Sequence, residues 1–414
     1  MTNLPQGWEV KTLGSIGFFI RGVSYKKEQL LSIKDEKSVY LLRANNIQNE
    51  LILDDLQIIP KELAVDKIIQ NNDILFAMSS GSKHIVGKNI LLNDLNDFTF
   101  GAFCGLFRIN NLNISHKFLA FYLKSSFYKN YILNISKGSN INNLRFADLE
   151  NLQIPLPPLK EQERIVGILD FAFSKIDENI KKAKENLANI DELMQSTLQK
   201  AFNPLNDNTK ENYQLPQSWE WKSLGDICFI TDGTHKTPNY IETGIPFLSV
   251  KNISKGFFDL GDIKYISLEE HNKLIKRAKP EFGDILICRI GTLGKAIKVS
   301  LEFGFSIFVS LGLLKPKVKI ISDYLVYFLN SYFIEGWINN NKVGGGTHTA
   351  KLNLNILEKC PIALPPLQEQ EQIAKHLDFV FEKAKALKEL YTKELKDYEE
   401  LKQSLLDKAF KGEL

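Results

Sequence analysis

No stretch of the 414 residues supplies the run of about 18 apolar side chains that a helix needs to cross a bilayer. The opening, MTNLPQGWEV, has no basic segment followed by an apolar one, so no secretory leader is expected and the chain is expected in the cytoplasm, away from membranes. Cysteine is scarce. Cys104, Cys228, Cys288 and Cys360 stand far apart without a CxxC spacing, which argues against a disulfide framework or a zinc site and leaves buried thiols as the expectation. The six histidines, His84, His116, His235, His271, His348 and His376, show no metal-ligand spacing either, so no metal site is expected. GTLGKA (291–296) has too few residues between its glycines and an Ala where a phosphate-binding loop needs Ser or Thr. No catalytic constellation emerges, and the chain is not expected to be an enzyme.

What is present is a distribution of charge. Residues 1–153 hold 17 Lys and Arg against 14 Asp and Glu, and residues 204–361 hold 19 against 16, so each is +3. Residues 154–203 hold 7 against 8 and residues 362–414 hold 9 against 11, giving −1 and −2. Two mildly basic blocks alternate with two mildly acidic ones, a footprint that suits nucleic acid on the former and protein on the latter.

The same alternation appears as an internal repeat. LPQGWEVKTLGSI (4–16) matches LPQSWEWKSLGDI (215–227) at 9 of 13 positions, and Ile154 to Asp177 matches Ile362 to Lys385 at 14 of 24. Between them NDILFAM answers GDILICR, FLAFYLKSSF answers YLVYFLNSYF, and QKAF (199–202) answers DKAF (407–410), all at a period close to 208 residues. That period is too long for a solenoid and describes a tandem pair of modules.

Each module opens with short apolar runs between glycines, which read as strands, followed by an amphipathic helix and a Gly/Asn-rich loop, KGSNINN or VGGGTHT. Pro157-Pro158 and Pro365-Pro366 then impose an extended segment, and the apolar period changes to that of a helix. The first arm repeats through Ile165, Leu169, Ala172, Ile176, Ile180, Ala183, Leu187, Ile190, Met194, Thr197 and Ala201. The second runs through Ile373, Leu377, Val380, Ala384, Leu387, Tyr391, Leu395, Tyr398, Leu401, Leu405 and Ala409, with a stutter. Each could extend about 40 residues, roughly 60 Å, and the nearest partner for its seam is the other arm. The expected fold is α+β: two mixed α/β domains (1–153 and 204–361) separated by two long antiparallel coiled-coil helices (154–203 and 362–414) in a pseudo-two-fold internal repeat. Glu161, Glu163, Glu369 and Glu371 fall in the first helical turns, where the helix dipole favours acids by a few tenths to about 1 kcal/mol, with partner binding as the alternative reading.

The module starts LPQGWEV and LPQSWEW, the helix beginnings PLPPLKEQERI and ALPPLQEQEQI, and DGTHKTP (232–238), GIPFLSVKNI (244–253) and RIGTLGK (289–295) together resemble the specificity subunits of type I restriction-modification systems. The resemblance covers essentially the whole chain. It implies two target recognition domains, each reading one half of a bipartite site in double-stranded DNA, with helices that act as a ruler and dock two modification (methyltransferase) subunits. Restriction (endonuclease and translocase) subunits would join outside. It also implies that S-adenosylmethionine belongs to the partner methyltransferase, which flips its target base, and that this chain carries no cofactor. In keeping with that, the methyltransferase signature of Asn or Asp followed by two prolines and an aromatic is missing, since Asn203-Pro204 runs into Leu205.

Sequence readout needs donors that reach base edges, with cations and hydroxyls on phosphates. In the second module the candidates are Thr234, His235, Lys236, Arg289, Thr292, Lys295, Thr347 and His348. In the first they are Arg21, Tyr25, Lys26, Arg43, Asn45, Ser80, Ser82, Lys83, Ser139 and Asn140. The reading loops differ between modules: MSSGSKHIVGK stands where the second has RIGTLGK, and IRGVSYKKEQ where it has DGTHKTP. Unlike loops on one scaffold are what two unlike half-sites require. The competing reading, a coiled-coil scaffold whose globular ends bind protein, would show no salt-sensitive DNA complex. A standalone nuclease would need a metal-binding carboxylate cluster that the sequence does not display.

Overall fold

The computed structural model describes residues 4–81, 85–137, 143–202, 215–345 and 350–414. The chain forms two compact units, one built from Met1–Lys184 with Thr392–Leu414 and the other from Glu185–Tyr391.

The first unit contains β1 (Glu9–Thr12), β2 (Gly17–Arg21), β3 (Ser38–Leu42), β4 (Gln57–Pro60), β5 (Ile74–Ala77), β6 (Asn89–Leu91), β7 (Phe98–Phe100) and β8 (Cys104–Ile109). Three helices follow, α1 (His116–Tyr122), α2 (Ser126–Lys137) and α3 (Phe146–Glu150), then β9 (Gln153–Leu156) and the start of the long helix α4 (Leu159–Phe202). In the second unit the order repeats as β10 (Glu220–Ser223), α5 (Leu224–Ile227), β11 (Cys228–Asp232), β12 (Ile245–Leu248), β13 (Lys264–Ile266), α6 (Leu268–Leu274), β14 (Ile285–Cys288), β15 (Ala296–Lys298), β16 (Ser306–Ile307) and β17 (Leu311–Pro316). The helices α7 (Ser322–Leu329), α8 (Tyr332–Asn341) and α9 (Leu354–Leu357), strand β18 (Pro361–Leu364) and the long helix α10 (Leu367–Lys411) complete it.

Sheet topology is the same in both. A four-stranded antiparallel sheet runs β2-β8-β5-β6 in the first unit and β11-β17-β14-β15 in the second. A three-stranded sheet runs β4-β3-β7 or β13-β12-β16, its β3–β7 and β12–β16 contacts parallel. The period-2 geometry of a strand explains why ILFA and ILIC are apolar throughout. Ile74 and Phe76 face the helices while Leu75 and Ala77 face the other sheet's core, and Ile285, Ile287 and Leu286, Cys288 divide in the same way. Gly22 and Gly233, each just after its strand, mark where two backbones nearly touch: a Cβ there would lie 2.1 Å from the Gly101 carbonyl oxygen or 2.0 Å from that of Ile307. All four cysteines are buried, and burial pushes each thiol up to about 12.

The motifs at the two ends of each module prove to be neighbours. Val10 of LPQGWEV pairs with Pro155 in an antiparallel two-stranded ribbon, and Trp221 of LPQSWEW pairs with Ala363. Within EQE the buried residue is the glutamine. Gln162 Oε1 accepts the Ser115 N–H at 2.9 Å while its Nε2 donates to the Pro157 carbonyl at 2.9 Å. Gln370 does the same with the Ile321 N–H and the Pro365 carbonyl, at 3.0 and 2.8 Å. The flanking acids serve local contacts: Glu161 with Arg164, Glu371 with Lys375, and Glu369 with the Trp219 indole N–H at 3.0 Å.

The C-terminal phenylalanines of QKAF and DKAF close the helical cores. Phe410 meets Phe118 and Tyr122 edge-on in the first unit, with centroids 5.1 Å away in each case. Phe202 meets Tyr324 and Phe328 in the second, at 5.6 and 5.1 Å. Along the long helices Ile165, Leu169, Ile176, Ile180, Ala183 and Ile190 are buried as the stripe requires. In the second stripe Leu377, Ala384 and Ala409 are buried, but Leu387 and Leu401 are exposed, and Ala374 and Leu406, off the stripe, are buried. The stutter rotates the seam there, so Tyr391, accepting from Asn186 Nδ2 at 3.1 Å, and Lys388, paired with Asp191, occupy the contact.

Candidate nucleic-acid interface

In the second unit one side chain gathers three loops. Arg289 follows β14 directly and is buried, with its Nε donating to the Leu352 carbonyl at 2.9 Å and its Nη1 to the Val309 carbonyl at 3.3 Å and to the carboxylate of Asp232. Backbone pairing reinforces this. Leu352 N–H donates to the Arg289 carbonyl at 2.9 Å, and Ile290 bridges to Lys351. Gly312 lies beneath the side chain, where a Cβ would come within 3.0 Å of Arg289 Cδ. Arg289 is thus placed inside the domain, where it fixes the loops.

Asp232, at the end of β11, is 1% exposed. Besides Arg289 its carboxylate takes the Arg277 Nη2 and the ring Nε2 of His235 at 3.1 Å, while Arg277 Nε also donates to the Asp232 carbonyl at 3.2 Å. Burial works to raise the carboxyl's pKa, but the hydrogen bonds and charges of Arg277 and Arg289 outweigh it and hold the group below the ordinary carboxylate range. Above this buried anion Thr234, His235 and Lys236 join Lys273, Leu274 and Arg277 around a cleft of about 400 Å³. Thr292 and Lys295 line a different cavity of about 520 Å³, together with Asn330, Ser331, Asn339 and Lys342. Thr347 and His348 lie outside the described residues.

The first unit solves the same position differently. Met78 stands where the second unit has Arg289: Leu144 N–H donates to its carbonyl at 2.7 Å, Ser79 bridges to Asn143, and Met78 Cγ fills the space over Gly105. Arg21 ends β2 as Asp232 ends β11. It is exposed and lies over the Phe146 ring at 6.0 Å, and Phe146 in turn stacks on Phe19 at 5.0 Å. The Tyr25 hydroxyl donates to Gln57 at 2.6 Å, and Lys26 is exposed beside it. Arg43 is half-buried and donates to the carbonyl and carboxylate of Asp55 at 3.1 and 3.2 Å. Asn45 is exposed in the same turn, which the buried Asn46 ties down through the Ile52 carbonyl at 2.8 Å. Ser80 is half-buried after the bridge residue Ser79; Ser82, Lys83, Ser139 and Asn140 fall outside the described residues.

Sequence reasoning missed Asp232, Arg277 and Lys273. Asp232 was visible as the one acid in an otherwise basic loop, DGTHKTP. Arg277 sits in LIKRAK, whose helical look gave no sign that it turns back onto β11.

Two modules of one topology, with unlike side chains at matching loop positions and a long helix following each, define a two-headed recognition protein. The family described as type I restriction modification DNA specificity domain matches residues 5–189 and 216–396. The specificity subunit of the EcoKI restriction enzyme of Escherichia coli K12 is 31% identical across 99% of this chain and 90% of that protein, and the StySPI specificity subunit of Salmonella potsdam is 31% identical over the same shares. Among solved structures, a chain described under complex assembly and conformational transition of the type I R-M system superposes over 100% of both chains with a TM-score of 0.79 at 23% identity. The HsdS subunit of Thermoanaerobacter tengcongensis covers 99% of this chain and 98% of its own, with a TM-score of 0.59 at 24% identity. The chain belongs to the type I restriction-modification DNA specificity family. Its role is DNA recognition, and catalysis is the work of other subunits.

Proposed function

We propose that each unit reads one half of a bipartite site in double-stranded DNA while α4 and α10 set the spacing between half-sites and dock two methyltransferase subunits. The observation that carries this reading is the pair of unlike clusters at one place in the fold, Asp232–Arg289–Arg277 against Arg21–Phe146–Met78. One scaffold with different polar loops gives two specificities without changing the frame. The long helices pair antiparallel as a coiled coil. Asp177 meets Lys402 and Asp191 meets Lys388, so an advance along one helix is a retreat along the other.

Docking of two copies of one partner fits a repeat in exposed apolar residues. Phe171 and Phe379 are 70% and 59% exposed, and Leu193 and Leu401, also related by the 208-residue period, are exposed as well. Their neighbours Phe173 and Phe381 are by contrast spent on their own domains, packing edge-on against Phe121 and Tyr327. The methyl donor, S-adenosylmethionine, binds the partner, restriction subunits join the assembly, and the whole acts on cytoplasmic DNA.

Mapping methylated adenines in the host genome with and without this gene tests the reading. Methylation at one split motif should vanish on deletion, and exchange of residues 1–153 for another recognition domain should rewrite one half of that motif only. An unchanged methylation map would end the proposal, and a change in both halves would end independent reading.

A further inference from the structure

We propose that the cleft over Asp232 is a seat for a DNA backbone phosphate, with Arg277 and Lys236 as its ligands and Asp232 as the positioning residue. The inference rests on the DNA-reading role proposed above and assigns one contact within it. The charge arithmetic comes first. Asp232 is the buried carboxylate behind the cleft residues Arg277 and His235, and Arg289 neutralises it from inside the domain. Arg277, whose side chain is 55% exposed, is therefore a surplus cation held in place rather than a partner needed to balance the site. Lys236 forms no ion pair among the described residues and lines the same cleft, while Lys273, which also lines it, is shared with Glu269.

Geometry selects the ligand. Arg277 spends its Nε and one Nη2 hydrogen on Asp232, which fixes the guanidinium plane and leaves the Nη1 side turned away from the carboxylate. A planar fork held on one edge matches a tetrahedral oxyanion on the other. The site is concave. Phosphates project from a duplex, whereas base edges lie at the bottom of a groove and must be reached by side chains that project from the protein. The Thr234 hydroxyl is already committed to the Lys236 carbonyl at 3.0 Å, which shapes the loop around the cleft and leaves the cations to do the binding. Among the described residues the first unit has no such seat, because Arg21 and Met78 replace Asp232 and Arg289.

The test uses the full chain assembled with its methyltransferase subunits and two duplexes of equal length, one carrying the mapped motif and one lacking it. Arg277→Gln and Lys236→Gln should each weaken both duplexes in the same proportion and lower the slope of log affinity against log salt by about 1, with the methylated motif unchanged. Arg277→Lys should restore the slope. Asp232→Asn should weaken binding in the parent but add nothing in the Arg277→Gln background; an equal loss in both backgrounds would refute the positioning role. Arg277 and Lys236 are surface positions, so their variants remain informative if Asp232→Asn unfolds. An unchanged salt slope, or relaxed recognition at one base pair of the second half-site, would overturn the phosphate assignment. Failure of the parent complex to bind either duplex would instead bring down the DNA-reading role, and this seat with it.

Discussion

The backbone N–H of Ile321 donates to Oε1 of Gln370 at 3.0 Å, so that the residue capping α7 is tied to the first turn of α10. The Gln370 amide also donates to the Pro365 carbonyl at 2.8 Å. Gln370→Ala strands a half-buried donor and a buried acceptor, a cost of about 1–3 kcal/mol. Thermal unfolding should show a lowered Tm for this variant and little change for Glu371→Gln, whose partner Lys375 is exposed. Equal effects from both would refute the view that the glutamine is the joint.

Phe202 is 2% exposed and packs against Tyr324 and Phe328, and Phe410 holds the matching place against Phe118 and Tyr122. Truncation of either to Ala opens a cavity in a helical core and should cost about 3–5 kcal/mol. Because the two phenylalanines belong to different cores, the double variant should lose close to the sum. Denaturant titration of the two single variants and the double checks both statements, and a cost below 1 kcal/mol for Phe202→Ala would show the helix end to be dispensable.

How far the sequence could be read depended on which residues depend on distant partners. The repeat, the mixed α/β modules and the long helices were legible because apolar period and motif spacing are local properties, written in ILFA, ILIC and the stripe from Ile165 onward. The role of EQE was not, because a buried Gln is recognised only by the groups it meets, Ser115 and Ile321, some fifty residues upstream. QKAF and DKAF were legible as an echo, but not as plugs for cores assembled from remote helices. The loops were the hardest. Arg289 reads as a base-contacting donor in RIGTLGK until Asp232 is found beneath it, 57 residues earlier. Seam positions Leu387 and Leu401 were misplaced because a stutter fixes that a phase changes and not where the rotated face ends.

Asp232 makes the second unit sensitive to acid. Its pKa in the folded protein is depressed, with burial opposing and Arg277 and Arg289 prevailing, so its stabilisation is complete above the ordinary carboxylate pKa of about 3.9 and is lost as pH falls through the depressed value. At neutral pH Asp232→Asn leaves Arg289 buried without a counter-charge, at a cost of about 3–5 kcal/mol. The stability gap between parent and variant should therefore be widest near pH 7 and narrow below about pH 4, measured by Tm against pH. A gap that stayed constant into acid would mean that the carboxylate charge is not what binds the loops.

Phe171 and Phe379 put the docking proposal at risk most directly. Each is exposed on its long helix, Phe379 with the Lys383 ammonium over its ring at 5.6 Å, whereas Phe173 and Phe381, two residues on, are packed inward. A large exposed aromatic repeated at the same place in two modules is a surface cost incurred twice, and desolvating an aromatic at the centre of an interface is among the strongest single contributions to binding. Phe171→Ser or Phe379→Ser should leave the stability of the isolated chain within about 0.5 kcal/mol. In a complex with the methyltransferase subunit each single variant should lose one partner copy at limiting concentration, and the double variant both, as read by the mass of the assembly in solution. A double variant that still recovers the full complex would move the docking surface elsewhere on the long helices.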